Sequence, residues 1–406
     1  MPTRSGIQWA TLVLANSRVP AMSDSAAGDV VVIGGGILGL STAWRLLRAG
    51  LPVVIVDDAP ERSATRAAAG MLAPFTEISP NADMQALLAR SLAMYPAFVE
   101  EIERESDRDI EIEFPGTLLL VAADRRNGLL DQLSAQGIRA EALDASALQE
   151  LEPDLSVESD NAIFFAGEGY VDPRVLHDAL REAFARRGGR WIPTRALALE
   201  RAPVETADRE HVTVRTAEGI VRGRIVLNAA GAGAGELLGE ELRARFRPRP
   251  VRGEIVRLRP RSGRAIRHLI HKEGGIYLVP QRDGTLLVGA TAAEGEAPRV
   301  TAGGVRWLLD RAIGIIPSLS DAEFVEAWSG ARPLAGEGSP ELIEDPAGSV
   351  FHGIGLYRNG ILLAPLLSAQ LEKRILEQYH MSVANMMSSP SERAEAISWD
   401  RTEDSP

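Results

Sequence analysis

The residues whose types and spacing most directly imply chemistry lie between Asp29 and Leu40, where Val30-Val-Val-Ile33 runs into Gly34-Gly-Gly-Ile-Leu-Gly39. Gly34, Gly36 and Gly39 form a Gly-x-Gly-x-x-Gly spacing, with Ile37 and Leu38 between the last two. In such a turn the first glycine permits a tight reversal and the second lets backbone N–H groups approach a pyrophosphate. The third lets the following helix pack on the strand. That helix, Ser41 to Ala49 with a stop at Gly50, turns its positive N-terminal end to the phosphates. A second apolar strand, Val53-Val-Ile-Val56, ends in Asp57, 23 residues beyond Gly34. An acid at that distance binds an unphosphorylated ribose, which favours NAD or FAD over NADP and leaves those two open.

The elements around this turn must come from a chain of 406 residues, long enough for two domains. With no cysteine, disulfides, iron–sulfur clusters and thiolate zinc sites are excluded. His268 and His271 stand at i and i+3 without further ligands, so no metal site is assigned. A net charge of −12 argues against a nucleic-acid binder. Ten arginines between Arg243 and Arg267 offer an acidic partner a local footprint. In Val251-Arg-Gly-Glu-Ile-Val-Arg-Leu-Arg259 several alternate with apolar residues, and the solvent face of a strand is the preferred reading. No apolar run reaches the roughly 18 residues of a membrane span.

Residues 1–28 read as an extension outside the fold or an over-extended start, since Met22 precedes the first strand as a natural N-terminus would. Met84 to Ser106 has apolar residues at helical spacing and reads as leaving the nucleotide-binding pattern for a second domain. Asp172-Pro173 opens a helix to Arg187, and Trp191 to Leu197 reads as a strand. Arg224 to Gly235 is a buried strand entering a second glycine-rich turn, and from Pro248 the pattern becomes antiparallel. A final helix runs to about Gln378, followed by a polar tail.

Read together, these motifs resemble the D-amino-acid oxidase superfamily of flavoenzymes, and within it the thiamine-pathway glycine oxidases. The resemblance rests on the Gly34–Gly39 turn with Asp57, Ala67-Ala-Ala-Gly-Met-Leu-Ala-Pro74, Tyr170-Val-Asp-Pro173, Asn228-Ala-Ala-Gly231 and Pro250-Val-Arg-Gly-Glu254. It continues through Tyr277-Leu-Val-Pro280, Val288-Gly-Ala-Thr291, Gly330-Ala-Arg-Pro333 and Tyr357-Arg-Asn-Gly-Ile-Leu-Leu-Ala-Pro365. It implies an α/β two-domain fold: a Rossmann-like FAD-binding domain with a discontinuous antiparallel-sheet substrate domain. Residues 29–83, 160–235 and 330–379 are assigned to the first, 84–159 and 236–329 to the second, and 380–406 to a disordered tail.

By resemblance, non-covalent FAD meets Gly34, Gly36, Ile37, Leu38 and Gly39 with its pyrophosphate, and Asp57 with its ribose. Arg66, Ala67, Ala68, Ala69, Gly70 and Met71 line the flavin together with Arg358, Asn359, Gly360, Ile361 and Leu362. Arg195 and Ala196 approach the adenine, and Ala230 and Gly231 complete the cofactor set. Arg332 matches the family's substrate-carboxylate arginine, whose planar fork suits two parallel bonds. Tyr277 adds a phenol hydrogen bond, and Arg358 lies near the entrance. The implied reaction oxidises an amino acid to an imine that hydrolyses to a 2-oxo acid and ammonia, with O2 reduced to hydrogen peroxide. A cytoplasmic homo-oligomer acting on a small amine or amino acid, without nucleic acid, is expected. Sarcosine or D-amino-acid oxidation, the corresponding dehydrogenase and a non-catalytic flavin-binding homologue are the alternatives.

Three departures bear on the substrate. Gly275 and Leu356 stand where glycine oxidases carry histidines, and Ala292 where they carry a methionine. If those positions line the pocket, it is roomier and more apolar, and suits a substrate larger than glycine.

Overall fold

In the computed structural model the described residues are 26–58, 61, 63–76, 82–156, 161–201, 211–261 and 263–387. The extension 1–25 and the last residues of the tail lie outside them. Two large sheets organise the chain. The first has Ala26–Ile33 at its centre, parallel to Ile220–Asn228 on one side and to Val53–Val56 on the other. Arg190–Ile192 and Val350–Ile354 extend the parallel set. Valine and isoleucine fill these strands because both faces are covered, as parallel sheets require. Ala26, Ala27 and Gly28 already pair with Val221, Arg222 and Gly223, so the fold begins before the boundary expected at residue 28.

The second sheet is built around Arg249–Arg259, which pairs antiparallel with Leu286–Gly289, Ala293–Glu294 and Glu323–Leu334. Ile276–Pro280, Leu269–Lys272, Thr117–Leu120, Ala162–Phe165 and Glu141–Leu143 continue it. All its pairings are antiparallel except Leu269–Lys272 with Thr117–Leu120. Two segments assigned to the first domain belong here by hydrogen bonding: Ala162–Phe165, and residues 330–334 at the end of Glu323–Leu334.

The helix Ala82–Ser106 is correct in type and misplaced by the sequence reading. Its buried Leu88, Tyr95, Phe98 and Ile102 pack with Trp44 of Ile37–Arg48 and with Leu363 and Leu367 of the final helix, in the core of the first sheet. Periodicity marks which face is apolar and is silent on what covers it. The final helix continues to Met387, beyond the expected end at Gln378 and into the expected tail. Trp191 to Leu197 is not one strand: Pro193 lies in the break between Arg190–Ile192 and Ala196–Arg201. Asp172 caps its helix as expected, its side chain accepting from Arg174 N and Val175 N. Among the described residues no helix is long and apolar enough to cross a membrane.

The solvent-face reading of the arginine strand fails at Arg252, which is buried, and holds at its end, where Arg259 is exposed. Val251 to Val256 is buried throughout, because neighbouring strands and the helix Ala302–Ile315 cover it. Arg252 pairs with Glu296, Arg257 is half-buried beside Glu326, and Arg259 lies beside Glu323.

The fully buried Tyr95 hydroxyl donates to Ile361 O at 2.7 Å, and Ser91 Oγ to Leu362 O at 2.6 Å. These bonds tie Ala82–Ser106 to the start of the final helix. Tyr95→Phe is expected to lower the unfolding free energy by about 1–2 kcal/mol, because it leaves a buried carbonyl without this donor. Urea denaturation checks this, and a stability equal to wild type would contradict it.

Candidate active site

A cavity of about 360 Å³ opens where the carboxyl ends of the parallel strands face the second sheet. That edge is where open α/β sheets place their ligands. The turn after Ala26–Ile33, the Ala229–Gly233 turn after Ile220–Asn228 and Gly353 of Val350–Ile354 all reach it.

Two glycines of the first turn do different jobs. At Gly39 a Cβ would collide with the carbonyl of Gly34, so this glycine is required by the fold itself. At Gly36 the backbone is extended and a Cβ would meet only Thr65 Oγ1, at 3.4 Å. The backbone of Gly36 therefore faces open cavity, and a cradle for a pyrophosphate needs that close approach. Around the turn, Gly35 N donates to Asp57 Oδ2 at 2.5 Å and Ile37 N to Thr65 Oγ1 at 2.8 Å. Buried His177 meets Gly35 O through Nε2 at 2.8 Å, and burial lowers its pKa, favouring the neutral ring. Asn228 Nδ2 donates to Ala234 O and to His352 Nδ1, shaping the second turn. Burial pushes His352 down to about 4, which keeps Nδ1 available as an acceptor.

Most of the expected cofactor residues line this cavity: Gly34, Gly36, Ile37, Leu38, Asp57, Ala67 to Met71, Ala230, Gly231 and Arg358 to Leu362. Four do not. Gly39 packs beneath the turn, and Arg66 is turned to Glu61 and Asp178. Arg195 pairs with Glu236, and Ala196 lies in a strand outside the lining. Arg358 is exposed beside the ring of Tyr357, whose φ of 46° is left-handed. Tyr357 N donates to Pro333 O at 2.9 Å, which fastens this loop to the strand carrying Arg332.

Arg332 and Tyr277 converge on one short segment. Gly289 pairs with Tyr277, and a Cβ at Gly289 would strike the Tyr277 hydroxyl. Two residues on, Thr291 O accepts from Arg332 Nη1 at 3.1 Å. Among the described residues no carboxylate pairs with Arg332, although it is partly buried on the cavity wall. The other arginines on this sheet face acidic partners, and this one faces the cavity.

Sequence reasoning missed Thr65, whose contact with Ile37 spans 28 residues without a local signal. His271 enters the sequence reading only as half of a histidine pair without further ligands. In the hairpin closed by Glu273-Gly-Gly275, His271 pairs with Tyr277 and lines the cavity, so hairpin register was the signal available. Of the three departures, Leu356 lines the cavity whereas Gly275 and Ala292 do not, and His271 adds polarity. The condition for a roomier, more apolar pocket is therefore met at Leu356 alone of the three positions.

Behind Thr76 and Thr117 lies Glu168, fully buried, accepting from Phe75 N at 2.5 Å and from Thr76 N at 3.0 Å. Burial raises its pKa from 4.5 to about 7, with these donors pulling the other way.

A mixed sheet with a parallel centre and a glycine turn suited to a pyrophosphate, set against a mainly antiparallel sheet that offers an arginine without a carboxylate partner among the described residues, defines an FAD-dependent amine or amino-acid oxidase. The chain belongs to the DAO family of FAD dependent oxidoreductases, which it matches over residues 29–373. It is 32% identical to a glycine oxidase of Geobacillus kaustophilus over 349 residues, covering 83% of this chain and 90% of that one. A Rhizobium etli protein named for a thiamine-biosynthesis oxidoreductase is 30% identical over 86% of this chain and 97% of its own length. The crystal structure of the Geobacillus kaustophilus glycine oxidase superposes with a TM-score of 0.80 at 30% identity, covering 86% of this chain and 95% of that one.

Two predictions follow from this geometry. Gly36→Ala is expected to keep wild-type apoprotein stability while weakening FAD binding by roughly tenfold or more, whereas Gly39→Ala destabilises by about 1–3 kcal/mol. Apoprotein melting and FAD titration separate the two, and equal melting losses would sink the distinction. For Glu168, the folded state retains a proton that the unfolded state has released between pH 4.5 and about 7. Stability therefore falls as pH rises through that window, at up to about 1.4 kcal/mol per pH unit. Melting curves across that range should show a smaller decline for Glu168→Gln.

Proposed function

We propose that this protein oxidises glycine, converting glycine, O2 and water to glyoxylate, ammonia and hydrogen peroxide, in service of thiamine thiazole formation. The observation supporting it is Arg332: a cavity-lining guanidinium with no carboxylate partner among the described residues, next to a segment that also receives Tyr277. A guanidinium fork binds a carboxylate through two parallel hydrogen bonds, and the phenol supplies a third. Holding the carboxylate fixes the position of Cα and its amino group, so part of the entropic barrier is met on binding. FAD, when bound, supplies the two-electron acceptor chemistry. Its seat is assigned to Gly34, Gly36, Ile37, Leu38, Asp57, Ala67 to Met71, Ala230, Gly231 and Arg358 to Leu362, with Gly39 supporting the turn from beneath.

The glycine-oxidase relatives favour glycine, and Leu356 on the wall leaves sarcosine and small D-amino acids as the competitors. O2 as acceptor and a cytoplasmic homo-oligomer complete the reading, on family resemblance. Peroxide release from a panel of these amines should give glycine the highest kcat/KM, and a better D-amino acid would transfer the proposal to that substrate. Arg332→Ala is expected to raise KM for the preferred substrate by roughly a hundredfold, equivalent to about 2.7 kcal/mol. An unchanged KM would refute the carboxylate assignment.

A further inference from the structure

Arg332 lies on the cavity face of its strand, and behind the neighbouring strand sits a carboxylate whose purpose the fold alone does not explain. Glu254 is only 1% exposed, in the run Val251–Val256. Its Oε1 accepts from Thr301 N at 2.5 Å, and its Oε2 from the Thr291 hydroxyl at 2.9 Å. Glu254 N returns a bond to Thr291 Oγ1 at 2.9 Å. Arg252 approaches only to 3.8 Å.

Thr301 caps the helix Ala302–Ile315, so Glu254 sits at a helix N-terminus, whose partial positive charge stabilises it. A Cβ at Gly304 would occupy the carboxylate's position, so this glycine makes room for the charge. Burying a carboxylate is costly, and apolar groups of similar volume often stabilise a core as well or better. A carboxyl group at this place in the core therefore calls for a second explanation, and the bond network supplies one. Thr291 is held through both its hydroxyl and its amide, the latter donating to Glu254 O at 3.4 Å, while its carbonyl receives Arg332 Nη1 at 3.1 Å.

We propose that Glu254 is a positioning residue for substrate binding: from the far face of the sheet, and through Thr291, it fixes the plane in which Arg332 presents its guanidinium to the substrate carboxylate. A carbonyl at one Nη constrains a planar fork because two parallel bonds tolerate little rotation. With the Thr291 link loosened, Arg332 keeps its charge and loses its orientation. This inference rests on Arg332 being the carboxylate ligand.

The test uses the FAD-loaded full chain and acetate as the probe, with its dissociation constant read from the perturbation of the bound flavin's absorption spectrum. Glu254→Gln and Thr291→Val are each expected to weaken acetate binding and raise substrate KM by roughly tenfold, with kcat at saturation within about twofold of wild type. Thr291→Ser, which retains the hydroxyl, should recover most of the binding lost in Thr291→Val. The Thr291 pair decides the matter if Glu254→Gln fails to fold. If Arg332→Ala leaves acetate binding unchanged, the carboxylate assignment itself falls. If Arg332→Ala weakens it but Thr291→Val and Thr291→Ser behave alike, or if kcat collapses with KM unchanged, the positioning role of Glu254 is overturned.

Discussion

The register between Arg249–Arg259 and Glu323–Leu334 is the constraint on which the substrate side of this protein depends. Val251 stands opposite Arg332, Gly253 opposite Gly330 and Ile255 opposite Trp328. Side chains on paired strands alternate with a period of two, so a one-residue slip would carry Arg332 through the sheet to the face where Glu254 and Val256 lie. The pairing also joins the two halves of the molecule. Trp328 Nε1 donates to Ala67 O at 3.1 Å, so the strand that presents the arginine is fastened to the small-residue segment on the cofactor side. Arg174, from the first core, stacks over the same tryptophan at 4.5 Å and pairs with Glu326.

The cofactor side is organised by backbone. Turns at the ends of parallel strands form much of its wall, and the side chains of Asp57, Thr65, His177 and Asn228 bond to those turns. The substrate side is organised by charge. Acidic partners stand beside Arg252, Arg257 and Arg259, whereas Arg332 of the same sheet is turned to the cavity. A dinucleotide fits the first kind of surface and a small carboxylate the second.

Local pattern made the first side legible in the sequence. The glycine spacing, the strand ending in Asp57 and the Asp172-Pro173 helix start each lie within a few dozen residues, and each describes what was found. Arg332 and Tyr277 carry no such signal, since an Arg-Pro strand end and a tyrosine in an alternating strand are ordinary; they were read through resemblance. The solvent-face reading fails at Arg252 because alternation implies one wet face, whereas strands and a helix enclose this one. Thr65, and the partner of Ala82–Ser106, depend on contacts between segments far apart in the chain, which periodicity does not encode.

The wall formed by Leu356 to Leu362 is built by a stretch more than 300 residues beyond the glycine turn it faces, and the helix it opens packs on Ile37–Arg48. Val350–Ile354, just before it, completes the parallel sheet beside Ile220–Asn228. During synthesis the first βαβ unit therefore leaves the ribosome long before its last wall exists, at translation speeds that make this interval tens of seconds. This cavity is a product of the late chain as much as of the early motif, and a nascent chain truncated before Val350 would display the glycine motif without the wall that encloses it.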